Sequence, residues 1–169
     1  RAINLYASVA KIPNSPLRGE AQFQIGESYE AMALKATGGE APKLFENAFV
    51  AYQKVYEQFP DSGRVGDAVA KMAAFYYQKE DYARAIDVFE NVLSDYQDAN
   101  FLDVILFNFG RCLYKLDRKA EARKKFQQLI DDYPESEISP EANKIVEALK
   151  KAGFWNYLPK NEGYHLFEL

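Results

Sequence analysis

The sequence predicts an all-α chain, a right-handed superhelix of antiparallel helix hairpins, and three observations carry that prediction. Ala48, Ala85 and Ala122 recur at intervals of 37 residues, each followed four residues later by an aromatic, Tyr52, Phe89 or Phe126. Gly26, Ala73 and Gly110 supply small residues at matching places ahead of them, where one helix must approach another closely. A second aromatic, Phe59, Tyr96 or Tyr133, stands beside Pro60, Gln97 or Pro134 and closes each unit. A fixed period in the range of roughly 20–50 residues marks stacked supersecondary units, each burying its apolar face on its neighbours.

Residues 1–14 read as the second helix of a truncated repeat, with Ala2, Tyr6 and Val9 in the periodic places and Pro13 at the end. Ser15-Pro16 then opens the next helix, Ser as N-cap and Pro in the first turn. Residues 15–62 form a repeat with an insertion: Gly26 and Ala48 are 22 residues apart, while Ala73–Ala85 and Gly110–Ala122 are each 12 apart. The first helix runs on through Lys35, and Gly38, Gly39 and Pro42 mark the inserted residues as a surface loop.

Residues 63–99 and 100–136 are uninterrupted repeats. In the latter, Leu106, Phe109, Gly110, Leu113 and Leu116 fall at helical spacing, the polar turn Asp117-Arg118-Lys119 follows, and Ala122, Phe126, Leu129 and Ile130 share a face of the second helix. Pro134 stops it. Ser139-Pro140 repeats the start signal for a capping helix over 137–153, with Gly153 as its C-cap. Residues 154–169 are an aromatic tail outside the repeat pattern, expected either to seal the last helix pair or to dock on a neighbour.

Composition removes several classes of function. With 169 residues, 48% apolar content and a net charge of −4, the chain has ample core and no concentrated basic face, so nucleic-acid binding is excluded. The run Arg123-Lys124-Lys125 lies in a helical stretch and reads as solvated surface. Cys112 is the single cysteine, so no internal disulfide forms, and its apolar surroundings make it a packing residue. No stretch reaches the roughly 20 apolar residues of a membrane span. The chain opens on Arg1 without an initiator Met, so any targeting segment or lipid anchor is expected outside it.

These residues resemble the tetratricopeptide repeat. The family pattern of a bulky residue, Leu-Gly, Tyr, then Ala-x3-Phe and Pro reads here as Gln22, Ile25-Gly26, Tyr29, Ala48, Tyr52, Pro60. Its next copies are Val69, Met72-Ala73, Tyr76, Ala85, Phe89 and Leu106, Phe109-Gly110, Leu113, Ala122, Phe126, Pro134. Tryptophan is missing from the bulky place, Gln97 replaces one Pro, and the period is 37 rather than about 34 residues. The turns at Pro60-Asp61-Ser62 and Pro134-Glu135-Ser136 are similar to those of bacterial cell-envelope members, the Tol–Pal coordinator and the outer-membrane assembly lipoprotein. That resemblance implies a periplasmic or outer-membrane-associated adaptor, with a cytoplasmic setting as the alternative.

The resemblance also implies that first helices line a concave groove. Residues off the small-residue stripe are then the candidates for contact with a protein or peptide: Phe23, Glu27 and Glu30, then Ala70, Lys71, Ala74 and Tyr77, then Phe107, Asn108, Arg111 and Tyr114. Aromatics would anchor a segment while Arg111 or Lys71 reads an acidic group. Lys71, Asn108 and Arg111 could form part of a carboxylate clamp, opposed by Glu27 and Glu30.

No catalytic constellation is visible. His165 is the only histidine, so neither a histidine metal site nor a Ser/His pair can be assembled, and Gly38-Gly39 lacks the Lys-Ser/Thr of a phosphate loop. The expectation is a non-enzymatic scaffold without cofactor or metal. The rival readings are a glycan- or peptidoglycan-binding envelope module and a non-catalytic domain of a larger enzyme.

Overall fold

The computed structural model describes residues 1–97 and 99–151. These form eight α-helices: α1 (Ala2–Ala10), α2 (Arg18–Lys35), α3 (Ala41–Gln58), α4 (Val65–Gln78), α5 (Tyr82–Asp95), α6 (Leu102–Lys115), α7 (Lys119–Asp132) and α8 (Ser139–Lys151). The chain is all-α in antiparallel hairpins, as its periodicity predicts. The expected cap at Gly153, the aromatic tail 154–169 and His165 lie outside the described residues. Two compact units divide within α4, one of Arg1–Phe75 and one from Tyr76 onward.

In the first unit the repeated small residue and the repeated aromatic meet. Gly26 of α2 faces Tyr52 of α3 so closely that a Cβ on Gly26 would overlap the ring. Phe23 packs on the same ring, centroids 5.2 Å apart, and Gln22 donates its side-chain amide to the Ala51 carbonyl at 3.1 Å. Ala48, Ala51 and Val55 complete the buried face of α3. On the other side of α2, α1 is tied by Arg18 Nε, which donates to the Ala10 carbonyl at 3.1 Å. Phe75 near the end of α4 stacks on Phe49 at 4.8 Å.

The insertion is mostly helix, which corrects the expected surface loop. α2 and α3 have 18 residues each where α4, α5, α6 and α7 have 14, and their connection is five residues long, 36–40, where the later ones have three. Eight of the ten extra residues therefore add about one turn to each helix. Ala33 stays buried on this extension while Met32 and Leu34 are exposed.

In the second unit Gly110 of α6 faces Phe126 of α7, where a Cβ would come within 2.8 Å of the ring. Phe107 meets Phe126 edge-on at 5.5 Å, and Phe109 stacks with Phe89 of α5 at 5.9 Å. Leu129 is buried beside them, and α8 covers α7 with Ala142, Ile145, Val146 and Leu149.

The start signals work differently from expectation. Ser15 is not an N-cap, because α2 begins only at Arg18 and its cap residue makes no side-chain bond. Instead Ser15, Ser62 and Ser136 occupy equivalent turn places and accept the N–H two residues on, from Leu17, Arg64 and Ile138, at 3.3, 3.2 and 3.3 Å. Such local bonds hold a turn open just ahead of a helix. Ser139 is buried and donates to the Tyr133 carbonyl at 2.6 Å, so it ties α8 to the end of α7 rather than capping.

The two three-residue reversals share one device. Glu80 and Asp117 sit in the left-handed region, φ 57° and 59°. Their N–H groups reach Tyr77 and Tyr114, while Asp81 and Arg118 reach Tyr76 and Leu113, which satisfies the last carbonyls of α4 and α6 in Schellman fashion. Asp81 then accepts the Arg84 N–H at 3.3 Å and starts α5.

Two predictions follow from this packing. Gly-to-Ala in a helix ordinarily stabilises by about 1 kcal/mol. Gly26→Ala and Gly110→Ala should instead lower the urea-unfolding free energy by about 1–3 kcal/mol, because the new methyl drives into an aromatic ring. Glu80→Gly should raise it by roughly 0.5–1 kcal/mol, since only glycine occupies that φ without steric cost.

Candidate binding surface

The sequence places eight residues on the presented faces of the first helices, and the structure divides them. Phe23 and Phe107 are 3% and 4% exposed and belong to the core. Each lies three residues before the glycine of its helix, so it shares the glycine's inward face and packs on the ring seated there. Asn108 is buried as well, 3% exposed. Its amide donates to the Val104 carbonyl at 3.0 Å within α6, and its Oδ1 accepts from Arg111 at 3.4 Å. These three are withdrawn from direct contact with a partner. Glu27, Lys71, Tyr77, Arg111 and Tyr114 remain half-buried at the surface.

In the first unit, charge is already spoken for. Lys71 of α4 places Nζ 2.7 Å from Glu30 Oε2 of α2. The same oxygen accepts the Tyr52 hydroxyl at 2.9 Å. Both charged side chains are largely shielded, so the pair acts in a medium less polarisable than water and holds two successive first helices together. A partner carboxylate reaching for Lys71 would have to displace Glu30 and pass Glu27.

Tyr52 is the residue that sequence reasoning underrated. It had been assigned to scaffolding with Phe89 and Phe126, yet it is the one repeat aromatic bearing a hydroxyl. That difference was the available signal: its ring fills the glycine clearance and its oxygen emerges at Glu30. Burial first, then the Glu30 charge and its hydrogen bond, push the phenol well above its ordinary range, so Tyr52 stays protonated and donating.

In the second unit a cation lies on an aromatic. The Arg111 guanidinium of α6 sits 5.2 Å from the centroid of Tyr77, at the end of α4, and Tyr82 meets Tyr77 edge-on at 5.1 Å. Lys119 Nζ is 6.0 Å from the Tyr114 ring and 2.8 Å from Asp117 Oδ1. Stacking fixes the planar guanidinium while leaving its charge intact, an arrangement suited to reading a carboxylate or a backbone carbonyl. Beneath it Cys112 is buried, and desolvation pushes its thiol up to about 12 against the opposing pull of Arg111, so it is inert packing.

Among the described residues no three His, Cys, Asp or Glu side chains come together as a metal site, and no helix is long and apolar enough to cross a membrane. No buried side-chain polar atom there lacks a partner. The described surface offers shape, aromatic rings and a few fixed charges.

The family model for the tetratricopeptide repeat matches residues 20–62, 67–99 and 105–136. No curated protein matches the sequence. Among solved structures, the chain is similar to the N-terminal domain of stress-induced protein-1 (STI-1) from C. elegans, with TM-score 0.51 and 17% identity over 74% of this chain and 97% of that one. At that identity the likeness is one of fold.

The Tyr52 phenol gives a pH prediction. An unfolded tyrosine titrates near 10, and the folded value is raised, so this group's contribution is constant below about pH 10 and is lost as pH rises further. Unfolding free energy measured from pH 9 to 11 should fall less steeply in Tyr52→Phe than in the parent, by up to about 1.4 kcal/mol per pH unit.

Proposed function

Because the chain belongs to the tetratricopeptide-repeat family, we propose that it is a non-enzymatic interaction module that holds a segment of a partner protein against the outer faces of its first helices. The observation that carries this is the Arg111–Tyr77 stack with Tyr114 one turn away: a fixed cation among half-exposed aromatic rings on a rigid helix. Aromatic and Arg side chains of this kind anchor interfaces because they offer large contact area and lose little conformational freedom on binding. Glu27 supplies the corresponding polar contact on α2. Lys71, engaged by Glu30, is assigned to holding helices rather than to the partner. An extended or helical segment with an acidic or carbonyl group for Arg111 and apolar side chains for Tyr77 and Tyr114 is the ligand this surface suits.

The setting we propose is a bacterial cell-envelope assembly, periplasmic or associated with the outer membrane. The turns Pro60-Asp61-Ser62 and Pro134-Glu135-Ser136 support it, since their serines perform the same structural job in both places. Fractionation of the native host with antibody to the chain tests the setting; recovery in the cytosol alone would sink it.

For the binding surface, a peptide selected from a random display library against the chain serves as probe. Arg111→Ala combined with Tyr114→Ala should weaken that peptide at least tenfold, with the helical circular dichroism and urea midpoint kept. Affinity unchanged in a folded double variant would refute the surface.

A further inference from the structure

Among the described helices α1 alone has no buried residue. Yet Ala2, Leu5 and Val9 recur every three or four residues along one side, and Ile12 continues the stripe past the helix end. Leu5 and Ile12 are 66% and 50% exposed. The helix carries no charged side chain.

The repeat shows what belongs on that side. Ala2, Leu5, Tyr6 and Val9 stand in the places of Ala48, Ala51, Tyr52 and Val55 on α3, all four of which are buried. On α7 the matching Ala122, Phe126 and Leu129 are buried too. In both cases the cover is the preceding antiparallel helix, which sets a glycine against the aromatic and another aromatic three residues earlier: Gly26 and Phe23 on Tyr52, Gly110 and Phe107 on Phe126. At the other end of the helix series, α8 turns Asn143, Lys144, Lys150 and Lys151 to solvent, the polar outer face that closes a stack.

We propose that the outer face of α1 is a docking site for one more helix of the α2 and α6 kind, belonging to this protein's own array. It runs antiparallel to α1, sets a Gly or Ala against Tyr6, and covers Leu5 and Val9 by apolar contact rather than charge. A second copy of the chain does not supply it, because α2 and α6 of that copy are already spent on Tyr52 and Phe126.

The test adds such a helix to the intact chain. Residues 100–120 are joined directly ahead of Arg1, so that Ala2 takes the place of Ala122 and the copied Gly110 falls over Tyr6. Backbone amides of α1 should then exchange with deuterium at least tenfold more slowly than in the unextended chain, and Gly110→Leu in the added segment alone should abolish the slowing. Unchanged exchange, or slowing that survives the leucine, overturns the proposal. It is equally overturned if the unextended chain sediments as a dimer that Leu5→Lys converts to monomer, since the occupant is then a second copy.

Discussion

Each of the two hairpins described in full depends on a clearance too small for a methyl group. The ring of Tyr52 lies where a side chain on Gly26 would be, and the ring of Phe126 lies where one on Gly110 would be. Ring depth sets the distance between the helices, and that distance decides which neighbours face inward. Residues three before the glycine, Phe23 and Phe107, are drawn into the core. Residues one after it, Glu27 and Arg111, turn away from the contact and stay accessible. The presented surface is therefore a by-product of how the core is closed.

Between successive first helices a second kind of contact appears, polar and local to each unit. Lys71 reaches back to Glu30, and Arg111 lies back over Tyr77. The two occupy nearly the same height on their helices but use opposite chemistry, an ion pair in one case and a ring face in the other. An ion pair consumes its cation, whereas a ring supports a cation without neutralising it. That distinction, more than residue type, separates Lys71 from Arg111 as a contact for a partner.

The helices and their pairing were legible in the sequence because the signal was redundant: small residue, aromatic and turn recur together at 37 residues around Ala48, Ala85 and Ala122. The insertion was only half legible, since Gly38, Gly39 and Pro42 announce a turn but do not say how long the helices beside it are. Candidate contact residues were harder. Helical spacing alone does not separate the inward edge of a first helix from its outward one, so Phe23, Phe107 and Asn108 looked presented and are buried. What decides their side is the register of each residue against Gly26 or Gly110. The Glu30 link to Lys71 and Tyr52 joins residues 41 and 22 apart in sequence, a distance at which no local pattern speaks.

The longer first hairpin has a consequence for how the protein opens. Its last turn on α2 and first turn on α3 extend past the length shared by the other hairpins, with Ala33 buried between Met32 and Leu34, both exposed. Turns so placed are held chiefly by each other, so little buried surface resists their separation. The unfolding of this chain thus has a built-in order: the outermost turns around Gly38 can unzip and reclose at small cost while Tyr52 stays seated against Gly26. Proteases would cut there from a still-folded protein, and the hairpin beneath would survive the cut.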